Sequence, residues 1–200
     1  MSSASYTDPG QHIFWIASRS LGVVALLLVA LSVGLGLVMA TRSVKGAGPR
    51  ARVKQLHEAT ALAGLIAIAG HGLALLGDTY LHPGLAGIAI PFTTSYRAFW
   101  TGLGIAGGYL AAILGLTYYV RGRIGPNLWR RMHRWTLGVY LLGVIHTIGA
   151  GTDAGTPWLV GILIATGAPI ALLTAIRWLP SSTRQEQRPR RRIPLPSEQF

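Results

Sequence analysis

Four of the six histidines in this chain lie inside long apolar stretches: His57, His71, His133 and His146. An ionisable side chain in such a stretch is costly and tends to be there for a function. Fourteen residues separate His57 from His71, which on one helix amounts to about 21 Å of rise and only about 40° of rotation. Both rings then point the same way, one toward each end. Thr60, Ala61, Gly64, Ala67 and Ile68 lie between them on that face, mostly small, so that a flat macrocycle or a second helix could approach closely. Thirteen residues separate His133 from His146, giving a similar rise of about 20 Å but a turn of about 140°. The spacing therefore predicts an irregularity in the second helix, either a tightened first turn at His133 or a distortion near Gly138 or Gly143.

If the two helices run in the same direction, the early histidines share one depth and the late ones another, giving the pairs His57 with His133 and His71 with His146. Each pair could supply both axial ligands of one haem, and bis-histidine iron favours electron transfer over oxygen binding. A zinc or di-iron cluster is disfavoured, because about 20 Å separates the pairs and no carboxylate lies mid-segment to assist. The chain has no cysteine, which excludes disulfides, thiolate sites, iron–sulfur clusters and covalently attached c-type haem. Four histidines making interhelical hydrogen bonds is the plainer alternative; it suits any one of them better than four at two matched depths.

The elements that must position these residues are membrane spans. Half of the 200 residues are hydrophobic, yet the formal net charge is +12. With a hydrocarbon core of about 30 Å, a spanning helix needs roughly 20 apolar residues. Five segments meet that length: 13–40, 56–77, 98–120, 132–150 and 158–179. The expected fold is an all-α polytopic bundle of five spans over residues 12–179, with a short external tail at 1–11 and a basic tail at 180–200. Residues 1 to 12 carry no Lys or Arg, so the first segment reads as a retained span and not as a cleaved signal peptide.

Charge sets the expected orientation. Arg42, Lys45, Arg50, Arg52 and Lys54 follow the first span, Arg121, Arg123, Arg130, Arg131 and Arg134 lie between the third and fourth, and Arg184, Arg188, Arg190, Arg191 and Arg192 occupy the tail. The opposite side has only Arg97 between 78 and 97 and no cation between 151 and 157. The positive-inside rule then places the N-terminus outside and the C-terminus in the cytoplasm, in a cell (inner) membrane. The proline-containing tail is expected to be disordered and to meet anionic lipid in preference to nucleic acid.

Arg19, inside the outer part of the first span, needs a haem propionate, a nearby carboxylate or a snorkelling route to the interface. Arg97, at the outer start of the third span, suits an outer propionate, an anionic ferric chelate or an interface anchor. Arg131 and Arg134 flank His133 and could hold inner propionates, although topology alone would place them there. Glu58 reads as a carboxylate favoured by the start of a helix. His12 and His82 read as interface and loop residues, and the apolar loop 85–91 as a cover over the outer site. The six tryptophans near span ends match an aromatic belt, and Pro169 is expected to kink the last span.

The pattern H-x13-H on one helix and H-x12-H on another resembles the ferric reductase-like transmembrane domain family, which includes the membrane cores of ferric reductases and NADPH oxidases and the haem subunit of the bacterial methionine sulfoxide reductase system. Further similarity lies in the stretch from Tyr96 to Gly104, in Leu128-Trp129-Arg130-Arg131-Met132-His133-Arg134, and in Gly151-Thr152-Asp153. The resemblance spans about residues 12 to 178. It implies two b haems on His57, His71, His133 and His146, with electrons entering at the cytoplasmic haem and leaving at the outer one. It also implies an oxidoreductase or its electron-transfer subunit. The long members of the family continue into FAD and NAD(P)H domains, for which nothing after residue 179 offers material. The donor is then a separate flavoprotein or a membrane quinol, and the acceptor lies outside. The other readings are a cytochrome b subunit of a quinone-linked complex and a non-redox membrane scaffold that recruits partners through its basic tail.

Overall fold

The computed structural model describes residues 12–78 and 81–178. Both expected tails, 1–11 and 180–200, lie outside the described residues. Among the described residues the chain is all-helical: α1 (Ile13–Ala40), α2 (Ala47–Ala74) continued by a 3₁₀ turn (Leu75–Gly77), α3 (Gly84–Ala89), α4 (Ala98–Leu116), α5 (Arg121–Ile124), α6 (Pro126–His133), α7 (Thr136–Ala150) and α8 (Pro157–Trp178).

Four helical stretches are long and apolar enough to cross a bilayer: Ile13–Ala40, Ala47–Gly77, Ala98–Leu116 and Pro157–Trp178. That is the signature of a membrane protein. The stretch 132–150, read from the sequence as one span, is two helices. α6 ends at His133, Arg134 and Trp135 form a turn, and α7 runs for 15 residues. The turn keeps helical dihedrals but is tightened: the Trp135 N–H donates to the Met132 carbonyl at 2.9 Å, a three-residue bond in place of a four-residue one. The expected irregularity is therefore present, next to His133 and not at Gly138 or Gly143.

Helix boundaries follow local chemistry. Gly46 and Gly125 adopt φ of 88° and 89°, a region open to glycine, and each directly precedes a helix. Pro126 then sits at the first position of α6, where its missing N–H costs nothing. α2 begins at Ala47, well before the apolar run, so Arg50, Arg52 and Lys54 ride on its first turns. Glu58 consequently lies well inside the helix, and the helix-start reading of it is wrong. Its carboxylate accepts from the Tyr118 hydroxyl at 2.7 Å and lies 3.6 Å from the Lys54 ammonium. α8 runs on through Pro169.

α1 and α2 pack antiparallel along their length, as do α4 and α7, while α8 lies against α1. One buried cluster joins Leu26, Ala30, Val33 and Leu37 of α1 to Tyr140 of α7 and Ile170 of α8. Another joins Ala111 and Leu114 of α4 to Val139 of α7, with Leu65 and Ile68 of α2 packed on it. Large apolar side chains such as Leu62, Ile66, Leu73, Ile164 and Leu172 point outward, an inversion of the soluble pattern that suits a hydrocarbon solvent. The stripe of small residues on α2 is used for close packing: Gly64 faces Val29 and Leu28 of α1, and Thr60 and Ala67 are buried.

The connection between α2 and α4 contains a short helix, α3. Thr93 ties its end by donating to the carbonyls of Ala86 and Ile90, and the Tyr109 hydroxyl of α4 bonds the Ala89 carbonyl. Leu85 and Ile90 remain exposed.

Candidate functional site

α2 carries His57 and His71 with both rings on one side, as the fourteen-residue spacing requires. Across from them stand His133, at the end of α6, and His146, on α7. The rings meet in two pairs. His57 and His133 have centroids 5.9 Å apart with planes at 86°, and His71 and His146 have centroids 6.1 Å apart with planes at 73°. α2 and α7 therefore run in the same direction, and the pairs are separated by the helical rise between His57 and His71, about 21 Å.

The ring nitrogens are differentiated by their surroundings. His71 Nδ1 lies 2.7 Å from the Ser18 carbonyl oxygen and 3.0 Å from the Ser18 hydroxyl, which itself donates to the His71 carbonyl at 3.0 Å. His57 repeats the arrangement with Ser32: 2.8 Å to the carbonyl, 3.1 Å to the hydroxyl, and 3.4 Å from the hydroxyl to the His57 carbonyl. His146 Nδ1 lies 2.9 Å from the Trp100 carbonyl. A carbonyl oxygen only accepts, so in these three rings Nδ1 carries the proton and Nε2 keeps a free lone pair. His133 differs. Its Nδ1 is buried without a partner, as is Trp129 Nε1 one turn earlier, and the two rings stack at 4.8 Å and 21°.

These features fit a particular kind of metal centre. Two imidazoles bound to opposite sides of one metal, with metal–nitrogen bonds of ~2.0–2.1 Å and ring centres ~1 Å further back, have centroids roughly 6 Å apart. A ligating histidine also commonly donates its second ring N–H to a backbone carbonyl, which fixes tautomer and orientation. Among the described residues no three of His, Cys, Asp or Glu converge. Each pair would complete the coordination of a metal only if the remaining ligands came with it, as the four nitrogens of a porphyrin do.

The two arginines have protein partners. Arg19 forms an ion pair with Asp153 in the turn after α7, and its guanidinium lies 4.1 Å above the Trp15 ring. The carboxylate foreseen as one option for Arg19 is thus Asp153. Arg97 has a left-handed φ of 43° and donates through Nη1 to the Gly149 carbonyl at 2.7 Å, while the Tyr96 hydroxyl donates to Ala150 at 3.2 Å. Both tie the start of α4 to the C-terminal carbonyls of α7, where a cation is favoured, close to His146 in sequence. Arg131 and Arg134 are exposed on either side of His133, and His12 and His82 are exposed just before α1 and just before α3.

Ser18 and Ser32, missed by reasoning from single helices, hold two of the four rings. Their signal was available: they are fourteen residues apart, as are the histidines they serve.

No protein-family model, curated protein or solved structure matches this chain.

Proposed function

We propose that the protein is an integral membrane di-haem b cytochrome that carries electrons across the bilayer, from a cytoplasmic or quinol donor to an acceptor outside. The observation that supports this most directly is the juxtaposition of two histidine pairs at 5.9 and 6.1 Å between centroids, with Nδ1 of three rings already engaged and Nε2 left to ligate. Haem held by His57 with His133 and by His71 with His146 would supply reversible one-electron chemistry at iron.

The chain's own residues do the rest. His57 and His133 form the pair nearer the basic loops, and His71 and His146 the pair nearer Arg97 and Asp153. Under the positive-inside rule these are the cytoplasmic and outer pairs, with the N-terminus outside. α7 supplies the fifth crossing together with α6, whose Arg130 and Arg131 suit the headgroup level. Ser18, Ser32 and the Trp100 carbonyl hold the rings. The pairing, together with the stretches 96–104 and 128–134, favours kinship with the ferric reductase-like transmembrane domain family.

A reduced-minus-oxidised spectrum of detergent-purified protein, with pyridine haemochrome quantification, tests the proposal. Close to two low-spin b haems per chain is the expected result. Protein expressed with haem supplementation that shows no Soret band would overturn it and leave a membrane scaffold with basic loops.

A further inference from the structure

Three of the four paired histidines rest in the same local arrangement, contributed by a neighbouring helix. Ser18 and Gly22 lie beneath His71, Ser32 and Gly36 beneath His57, and Trp100 and Gly104 beneath His146. In each, one residue offers its backbone carbonyl to Nδ1, and the residue one turn later is a glycine over which the ring lies. Residues four apart share a helix face, so carbonyl and glycine present one surface.

Gly22 and Gly104 are needed for space, while Gly36 is merely in contact. A Cβ on Gly104 would stand 2.7 Å from His146 Cε1, and one on Gly22 would stand 3.1 Å from His71 Nδ1 and 3.2 Å from its Cε1. On Gly36 it would stand 3.4 Å from His57 Cε1, an ordinary contact. Gly34 and Gly72, close in sequence to two of these positions, would meet nothing within 4 Å. A carbonyl inside a helix is already engaged by the N–H four residues on, but its second lone pair is free. An imidazole from another helix reaches that lone pair only where the two backbones come close, and a missing side chain one turn later allows this. On α1 the device is written twice, as Ser-x-x-Leu-Gly at 18–22 and again at 32–36. His133 has no counterpart: its ring lies on Trp129 and its Nδ1 is unpartnered.

We infer that this carbonyl-and-glycine cradle is the positioning device of the site, with Gly22, Gly36 and Gly104 as positioning residues that hold each ring in the Nδ1–H tautomer and aim Nε2 at the partner histidine. The inference rests on the haem reading. The outer pair is cradled on both sides and the inner pair on one side only, so the two sites respond differently when a cradle is lost.

The test compares detergent-purified Gly104→Ala, Gly22→Ala and Gly36→Ala with Gly34→Ala and Gly72→Ala, reading haem per chain and the low-temperature EPR spectrum of the ferric protein. Gly104→Ala is expected to lose the outer haem or shift its low-field EPR feature while the inner one stays as in the wild type. Gly22→Ala is expected to do the same to a lesser degree, and Gly36→Ala to shift the inner feature slightly. Gly34→Ala and Gly72→Ala are expected to match the wild type. The surviving haem serves as an internal control for folding. Wild-type spectra from Gly104→Ala and Gly22→Ala would overturn the cradle and leave the haem reading intact. So would joint loss of both haems in each variant, or equal changes in the controls. A wild-type protein without haem would end both.

Discussion

The imidazoles of His71 and His146 face each other across 6.1 Å with their planes 73° apart, and each donates its Nδ1 proton to a backbone carbonyl on a different helix. Neither ring is oriented by its own helix alone. α1 sets one and α4 sets the other, so the space between them is defined by four helices at once.

If haem is bound as proposed, the pairing makes the two haems separable. His71→Ala should remove about one haem per chain and retain most of the other, and His71→Ala combined with His146→Ala should remove no more than the single change. His57→Ala and His133→Ala should behave the same way for the second haem. Pyridine haemochrome quantification reads this directly, and unchanged haem content in His71→Ala would sink the ligand assignment.

Ring orientation should be visible in the ferric spectrum. If haem is held as proposed, histidine planes at 86° and 73° would lift the degeneracy of the iron d orbitals only weakly. Both haems should then give strongly anisotropic low-spin EPR signals with large maximal g values. Rhombic spectra typical of parallel imidazoles would contradict the observed geometry.

If both pairs hold haem as proposed, the unequal hydrogen bonding of their rings predicts unequal reduction potentials. A ring N–H held by a carbonyl makes imidazole a stronger donor and favours ferric iron. The His71–His146 pair has two such rings and the His57–His133 pair one, since His133 Nδ1 is unpartnered. A potentiometric titration should therefore resolve two steps, and His133→Ala should abolish the more positive of them. Abolition of the more negative step would reverse the assignment.

Trp129 has an indole N–H that is buried without an acceptor, and leaving such a donor unsatisfied costs about 1–3 kcal/mol. Trp129→Phe keeps a ring for His133 to stack on and removes that donor. It should hold the haem proposed between His57 and His133 with unchanged or raised thermal stability, whereas Trp129→Ala should weaken that site. Loss of the inner haem in Trp129→Phe would show that the indole nitrogen has a partner when haem is bound.

The ion pair of Arg19 with Asp153 joins α1 to the turn between α7 and α8, at partly exposed side chains. Asp153→Asn should lower stability by roughly 1 kcal/mol, in the range of partly screened pairs, and a second change, Arg19→Gln, should add little to that loss. Thermal unfolding in detergent followed as a double-mutant cycle measures the coupling, and strictly additive losses would show that the pair contributes nothing.

What was legible in the sequence was whatever one helix determines by itself. Apolar length located α1, α2, α4 and α8, and the fourteen-residue step on α2 placed His57 and His71 on one face. The thirteen-residue step announced a break and offered two places for it, a tightened turn at His133 or a distortion near Gly138 or Gly143; spacing alone could not choose between them, and the structure has the first. The start of α2 was misplaced because Arg50, Arg52 and Lys54 mask a helix that extends beyond the apolar run, and Glu58 was misread with it. Ser18, Ser32 and Gly104 escaped because their importance lies between helices: a serine in an apolar helix has no visible partner until the facing helix and its register are known.

The break between α6 and α7 also acts as a vernier. α1 and α2 carry matching graduations, with serines and histidines both spaced by fourteen, whereas His133 and His146 are spaced by thirteen. Were α6 and α7 one straight rod, only one of its marks could line up with α2. Jointed at Arg134 and Trp135, the short arm is adjusted separately, and both marks come into line. The register of His133 is thus set apart from that of His146 by the turn between them.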